Sequence, residues 1–214
     1  MEWKQKLNLL HCIASDLQII HSQEFIHRDL HSGNILQDEL YTAYIADLGL
    51  SISKNMALKT ERCGIYGILS YIAPETLDGG QHTTASDIYS FAIIMWEILY
   101  GRPVSYSQEL GAQLQIEICI NYLRPTIIEN THQCYVNLMK ECWKREPENR
   151  PSAIKICEIL TEWLNNEFIL SDLTKSDELL KNIKSTHTQP YSDDIYKSKF
   201  IEYTTSLILA ILNE

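Results

Sequence analysis

The stretch SDIYSFAIIMWEILY, residues 86–100, constrains the fold more than any other part of the chain. Ile88, Phe91, Ile93, Ile94, Trp96, Ile98 and Leu99 fall on most sides of a helix rather than along one stripe. A helix that is apolar nearly all round must be enclosed by other protein, so it is the predicted buried centre. Ser86 is a good N-cap, and Gly101 followed by Pro103 ends the helix. The enclosing elements must come from elsewhere in the 214 residues. That length suffices for one substantial core with an appended tail, and two full domains are not expected.

Trp3, Leu7, Leu10, Ala14, Leu17 and His21 recur in steps of four and three, which predicts a first helix from Trp3. Further helices are expected at about 131–143 and 151–165. The latter has Pro151 in its first turn and Ala153, Cys157, Leu160 and Leu164 on one face. Strand signals are few: NILQ and AYIA flank a polar turn at Asp38-Glu39 and make a small hairpin. Residues 1 to about 165 therefore read as one mainly helical domain. Residues 166–214 read as a looser, partly helical tail, with a linker at 185–191 and an isolated apolar end, SLILAILNE.

Charge and cysteine usage narrow the class. Eighteen Lys and Arg against 28 Asp and Glu give a formal charge of −10, which argues against non-specific nucleic-acid binding. Six cysteines occur, but none forms a C-x-x-C pair or a zinc-like spacing with histidine. Unreacted, buried thiols in a reducing cytoplasm are the expectation. No signal peptide is evident, and the longest apolar run, Leu207 to Leu212, is far too short to span a bilayer.

The chemistry concentrates in FIHRDLHSGNIL, residues 25–36. Asp29 is followed by Asn34 after five residues and by Asp47, in ADLG, after eighteen. A loop carboxylate, a loop amide and a second carboxylate beyond a short hairpin can converge on one point. Hard oxygen ligands such as those of Asn34 and Asp47 suit Mg²⁺.

These residues resemble the larger, C-terminal lobe of a eukaryotic protein kinase, and the resemblance covers residues 1 to about 165. It implies a kinase-like α+β fold and transfer of the ATP γ-phosphate, with Mg²⁺, to a protein hydroxyl. By the same resemblance Asp29 orients the acceptor hydroxyl and takes its proton. Asn34 and Asp47 hold the metal, and Leu36 packs under the adenine ring. IAPE at 72–75 closes the activation segment, Glu75 pairs with Arg150 of NRP, and Asp87 ties down the catalytic-loop backbone. LRP at 123–125 and CWKREPENRP at 142–151 resemble the lower lobe of tyrosine-kinase-like and related families.

Departures from the family pattern bear on the acceptor. His31 stands where serine/threonine kinases usually have Lys and tyrosine kinases Ala or Arg. A neutral imidazole there would donate one hydrogen bond to a phosphate; otherwise it is a surface histidine. Ile68 replaces a threonine that bonds the catalytic Asp in serine/threonine kinases, Leu48 replaces a Phe, and Ala92 a Gly. Ser or Thr is the expected acceptor, because HRDLHSGN lacks the tyrosine-kinase pattern. Arg28 matches kinases whose activation segment is ordered by phosphorylation, with Ser51, Ser53, Thr60 and Tyr66 as candidate sites.

A nucleotide-holding lobe is not legible in the 214 residues: no G-x-G-x-x-G, β3 lysine or partner glutamate helix precedes His27. Charge-assisted bonds contribute ~1.5–3 kcal/mol each. Losing two or three takes a micromolar ATP site to the millimolar range. The expectation is therefore a lobe without its β-rich partner, inactive or nearly so alone, and exposing an apolar inter-lobe face that a protein partner would cover. The alternative is a truncated kinase-like binding or scaffold module without catalysis.

Overall fold

The computed structural model describes residues 1–53, 64–104, 106, 111–184 and 196–204. Thr60, Cys63, the 185–191 linker and the terminal SLILAILNE lie outside them. The chain runs α1 (Trp3–Ser22), β1 (Phe25–Ile26), β2 (Ile35–Gln37), β3 (Ala43–Ile45), β4 (Ile52–Ser53) and β5 (Gly64–Gly67). It continues through α2 (Pro74–Leu77), α3 (Thr84–Tyr100), α4 (Gly111–Cys119), α5 (Gln133–Cys142), α6 (Ala153–Asn165), α7 (Glu167–Lys184) and β6 (Lys199–Glu202).

The apolar helix is central, as its composition requires. Phe91, Ala92, Ile93, Met95 and Leu99 of α3 are wholly buried. One core joins them to Leu7, Leu10 and Leu17 of α1, Tyr135 of α5 and Leu160 of α6. Buried Tyr135 donates its hydroxyl to the Met95 carbonyl at 2.7 Å, which ties α5 to the middle of α3. Helix α3 begins two residues before the expected Ser86. Thr83 is the N-cap, and Ser86 and Thr83 bond each other's backbone in a capping box. Gly101 ends the helix in the left-handed region, φ 64°, as expected. Likewise Ser152 caps α6, its hydroxyl accepting from the Lys155 amide, so Pro151 precedes the helix instead of lying in its first turn.

Helix α1 carries the hairpin. Asp16 accepts from the Ile45 amide at 2.9 Å, and Asn8 donates to the Tyr41 carbonyl at 3.0 Å. Within the turn, the Asp38 carboxylate accepts from the Leu40 and Thr42 amides. The expected hairpin therefore forms as β2 against β3, with Leu36 opposite Tyr44.

The tail is tied to the rest of the fold. Residues 167–184 form a helix that packs on α6 and α1. The strand β6 then returns to pair antiparallel with β5, Gly64 opposite Glu202 and Gly67 opposite Lys199. Tyr203 completes a second apolar cluster with Ile65, Ile72, Leu77, Leu114 and Ile118.

Five described cysteines are unpaired. Burial raises the Cys119, Cys142 and Cys157 thiols above their ordinary value, and pushes half-buried Cys134 up to about 11. All four are held as thiols. No helix among the described residues is long and apolar enough to cross a membrane.

Candidate active site

The loop from His27 to Asn34 is held from below by two acids of α3. Asp87 is buried and accepts from the His27 amide at 2.9 Å and the Arg28 amide at 3.0 Å. His21 of α1 reaches the same carboxylate at 2.9 Å. Glu97, also buried, accepts from the Ser32 hydroxyl, from the Tyr71 hydroxyl at 2.6 Å and from the Val104 amide at 2.8 Å. Burial raises the Glu97 carboxyl, and its hydrogen bonds offset part of that rise. Asp87 was legible in the sequence. Glu97 was missed, because an acid amid WEILY carries no motif and its meaning comes only from burial.

Two of the six described non-glycine residues with positive φ lie in the same place. Arg28 and Asp47 have φ of 74° and 57°, a region L-residues avoid at a cost of about 1–3 kcal/mol. The Asp87 clamp holds Arg28 there, and at Asp47 the side chain accepts from its own loop, Gly49 N–H at 3.1 Å.

Asp29, Asn34 and Asp47 are brought into one neighbourhood. The Asn34 amide nitrogen donates to the Asp29 carbonyl at 2.9 Å, which fixes the side chain and leaves the side-chain oxygen as the atom that could meet a cation. The Ala46 amide donates to the Asn34 carbonyl at 2.8 Å, so Asp47 follows directly on a residue bonded to Asn34. His27 Nε2 lies 3.2 Å from the Ala46 carbonyl and links the loop to the same strand end.

Asp29 is half-buried, and His31 is buried beside it rather than on the surface. His31 Nδ1 accepts the Gly33 amide at 3.1 Å, so the neutral ring carries its proton on Nε2, 3.7 Å from the Asp29 carboxylate. Burial would raise the Asp29 carboxyl, but His31, the Ser198 hydroxyl and His27 outweigh it and hold the group below its ordinary value. Asp29 is thus ionised at neutral pH, a state in which it can accept a proton.

Ser198 is the unforeseen member. Its hydroxyl lies 3.1 and 3.3 Å from the two Asp29 oxygens, and no motif marks a serine 169 residues away. Ile68 lines the small cavity beside Asp29 with Arg28, Tyr71, His82 and Asp87.

Arg28 donates weakly to the Leu50 carbonyl at 3.5 Å. Of the proposed phosphorylation positions, the Ser51 hydroxyl is covered and Tyr66 is exposed, its ring edge-on to Phe200. Leu36 is 60% exposed, and Leu48, Tyr44 and Leu50 are exposed with it, on and just beyond the hairpin. Glu75 and Arg150 form the expected ion pair, two bonds of 2.7 Å, with the guanidinium fully covered.

The donor set fits magnesium on chemical grounds. One carboxylate and one amide oxygen are hard ligands, too few to close a cage by themselves. Mg²⁺ is held by few protein ligands and keeps positions for phosphate oxygens and water. Among the described residues no group of three or more His, Cys, Asp or Glu could hold a metal without such help.

Comparison with known proteins shows the family. The family profile described as protein tyrosine and serine/threonine kinase matches residues 1–160. The chain is similar to serine/threonine-protein kinase STY17 of Arabidopsis thaliana, 31% identical over 70% of this chain and 26% of the relative. It is also similar to dual specificity protein kinase shkC of Dictyostelium discoideum, 34% identical over 78% of this chain and 33% of the relative. The chain thus spans about a third or less of these two relatives.

Proposed function

Because the chain belongs to the protein tyrosine and serine/threonine kinase family, we propose that residues 1–165 are the catalytic lobe of an ATP-dependent protein kinase acting on Ser or Thr. Residues 166–214 are its tail. The observation that carries the reading is the bond from Asn34 to the Asp29 carbonyl, in a loop clamped by Asp87. It couples the candidate base to a candidate metal ligand through one rigid turn, and positioning is the largest part of what phosphoryl transfer asks of a protein.

Asp29 orients the acceptor hydroxyl and accepts its proton at a carboxylate oxygen. His31, with Nε2 3.7 Å from one of its oxygens, helps hold that carboxyl below its ordinary value. Asn34 Oδ1 and the Asp47 carboxylate are the groups that would hold Mg²⁺. When bound, MgATP supplies the phosphoryl group and the cation that offsets its charge. Leu36, on the exposed face of the hairpin, offers an apolar surface for the adenine ring. Arg28 would meet a phosphate on the activation segment. Ser or Thr is favoured over Tyr by the HRDLHSGN loop, and serine/threonine and dual specificity kinases are among the similar proteins.

The exposed face around Leu36 and Leu48 is where a nucleotide-holding lobe or another protein partner would sit. A non-catalytic scaffold has no chemical need for an ionised Asp29 beside an oriented Asn34. The test is the magnesium dependence of transfer from ATP to a serine peptide, with this lobe set beneath a nucleotide-holding lobe. Asp47→Asn should raise the Mg²⁺ needed for half-maximal rate by at least about tenfold, the lower end for even an outer-sphere partner. An unchanged magnesium dependence would overturn the assignment.

A further inference from the structure

The tail returns to the site by a specific route. Strand β6 adds to β5 with Tyr66 opposite Phe200 and Gly67 opposite Lys199. The next residue toward the N-terminus is Ser198, whose hydroxyl meets both Asp29 oxygens. The register of the ladder therefore sets which residue reaches Asp29.

Two glycines make room for this arrangement. A Cβ on Gly64 would stand 2.2 Å from the Ile201 carbonyl oxygen, so only glycine allows the strand this close. A Cβ on Gly67 would lie 2.9 Å from the Ile72 side chain and 3.7 Å from Asp29, crowding the same passage.

The far end of the segment is anchored by side chains. Tyr203 is buried with Ile65, Ile72, Leu77, Leu114 and Ile118, and its ring lies against Gly79. The Thr204 hydroxyl donates to the Leu77 carbonyl at 3.0 Å, and Gln115 donates to the Glu202 carbonyl at 2.6 Å. Backbone pairing in the middle and a pocket at one end is how an extended peptide is recognised at a sheet edge.

We propose that residues 196–204 occupy, within the same chain, the groove in which a peptide substrate lies, with Ser198 in the acceptor position. The tail excludes substrates until it is displaced. The segment also defines the substrate class: an extended serine-containing peptide with an aromatic residue five positions after the serine. The proposal rests on the reading of Asp29 as the group that meets the acceptor, but the strand itself is tested without any phosphoryl transfer.

Amide hydrogen exchange in the 214-residue chain reads the pairing directly. Gly64→Ala and Tyr203→Ser should each speed exchange at residues 64–67 and 199–202 by at least about tenfold, while α3 keeps its protection. A labelled peptide of residues 196–204 should then bind saturably to the Tyr203→Ser chain. It should bind neither the unaltered chain, whose groove is filled, nor Gly64→Ala, whose groove is blocked.

An Asp in place of the peptide serine should weaken that binding by about tenfold or more, because two carboxylates would meet. Adding Asp29→Asn to the chain should remove this discrimination. Equal exchange at residues 64–67 in all three chains would overturn the proposal, as would equal peptide binding to the unaltered and Gly64→Ala chains. If Tyr203→Ser exposes α3 as well, Gly64→Ala alone decides by its exchange. With the lobe set beneath a nucleotide-holding lobe, a Tyr203→Ser chain whose groove is open but which transfers no phosphate to a serine peptide would refute the catalytic reading and leave the strand in place. An unaltered chain that transfers phosphate in that assembly yet shows no protection at residues 64–67 would refute the strand alone.

Discussion

Arg150 shows how much one side chain can hold. Its guanidinium is fully covered, pairs with Glu75 at 2.7 Å and also donates to the Ala85, Lys144 and Arg145 backbones. Arg150→Met should therefore cost about 3–5 kcal/mol, since it strands the Glu75 charge and three carbonyls. Urea unfolding checks this, and a loss under about 1 kcal/mol would contradict it. His82 offers a second residue-level test. Burial lowers its pKa from 6.5 to about 4, and the nearby Arg28 adds to this against the opposing Asp87 and Asp29. A base with a depressed folded pKa binds its proton more readily when unfolded. Its contribution is thus complete above pH 6.5 and is lost as pH falls toward 4. His82→Gln should flatten the stability profile across that window; an unchanged slope there would sink the assignment. At this scale the motif residues were legible because their spacing is fixed by loop chemistry. Glu97 and Ser198 were not, since a buried acid and a distant hydroxyl gain meaning only from what the fold places beside them.

Elements were legible where they bury a face of their own. Helices α1 and α3 follow from apolar spacing, and the β2–β3 hairpin from its polar turn. The start of α3 was misplaced by two residues because Thr83 and Ser86 are both capping residues, joined here in one reciprocal box. Thr83→Ala should destabilise the protein by about 1 kcal/mol in thermal unfolding, and no change would refute Thr83 as the cap. Strands β5 and β6 escaped notice for a different reason. GIYG and KFIE are four residues each, and their pairing joins parts of the chain more than 130 positions apart. Short strands of this kind are specified by the partner edge, not by their own pattern.

The described residues form a mainly helical fold around α3, with the His27–Asn34 loop on a platform of buried acids and an apolar hairpin face turned outward. Leu36, Tyr44, Leu48 and Leu50 together make a patch that invites cover. The 214-residue chain should bind a hydrophobic dye and self-associate, and Leu36→Ser with Leu48→Ser should remove most of the dye signal. A dye-silent monomer would contradict an open face. Membership of the kinase family was readable because its motifs are contiguous; the tail's return was not, because only the assembled surface specifies it.

The central claim is that Asp29 receives the acceptor proton. Its most direct test is the single-turnover rate of transfer from ATP to a serine peptide, with residues 1–165 beneath a nucleotide-holding lobe. Asp29→Asn should slow that step by about 10²–10⁴-fold while ATP binds as before. An undiminished rate in the variant would contradict the account.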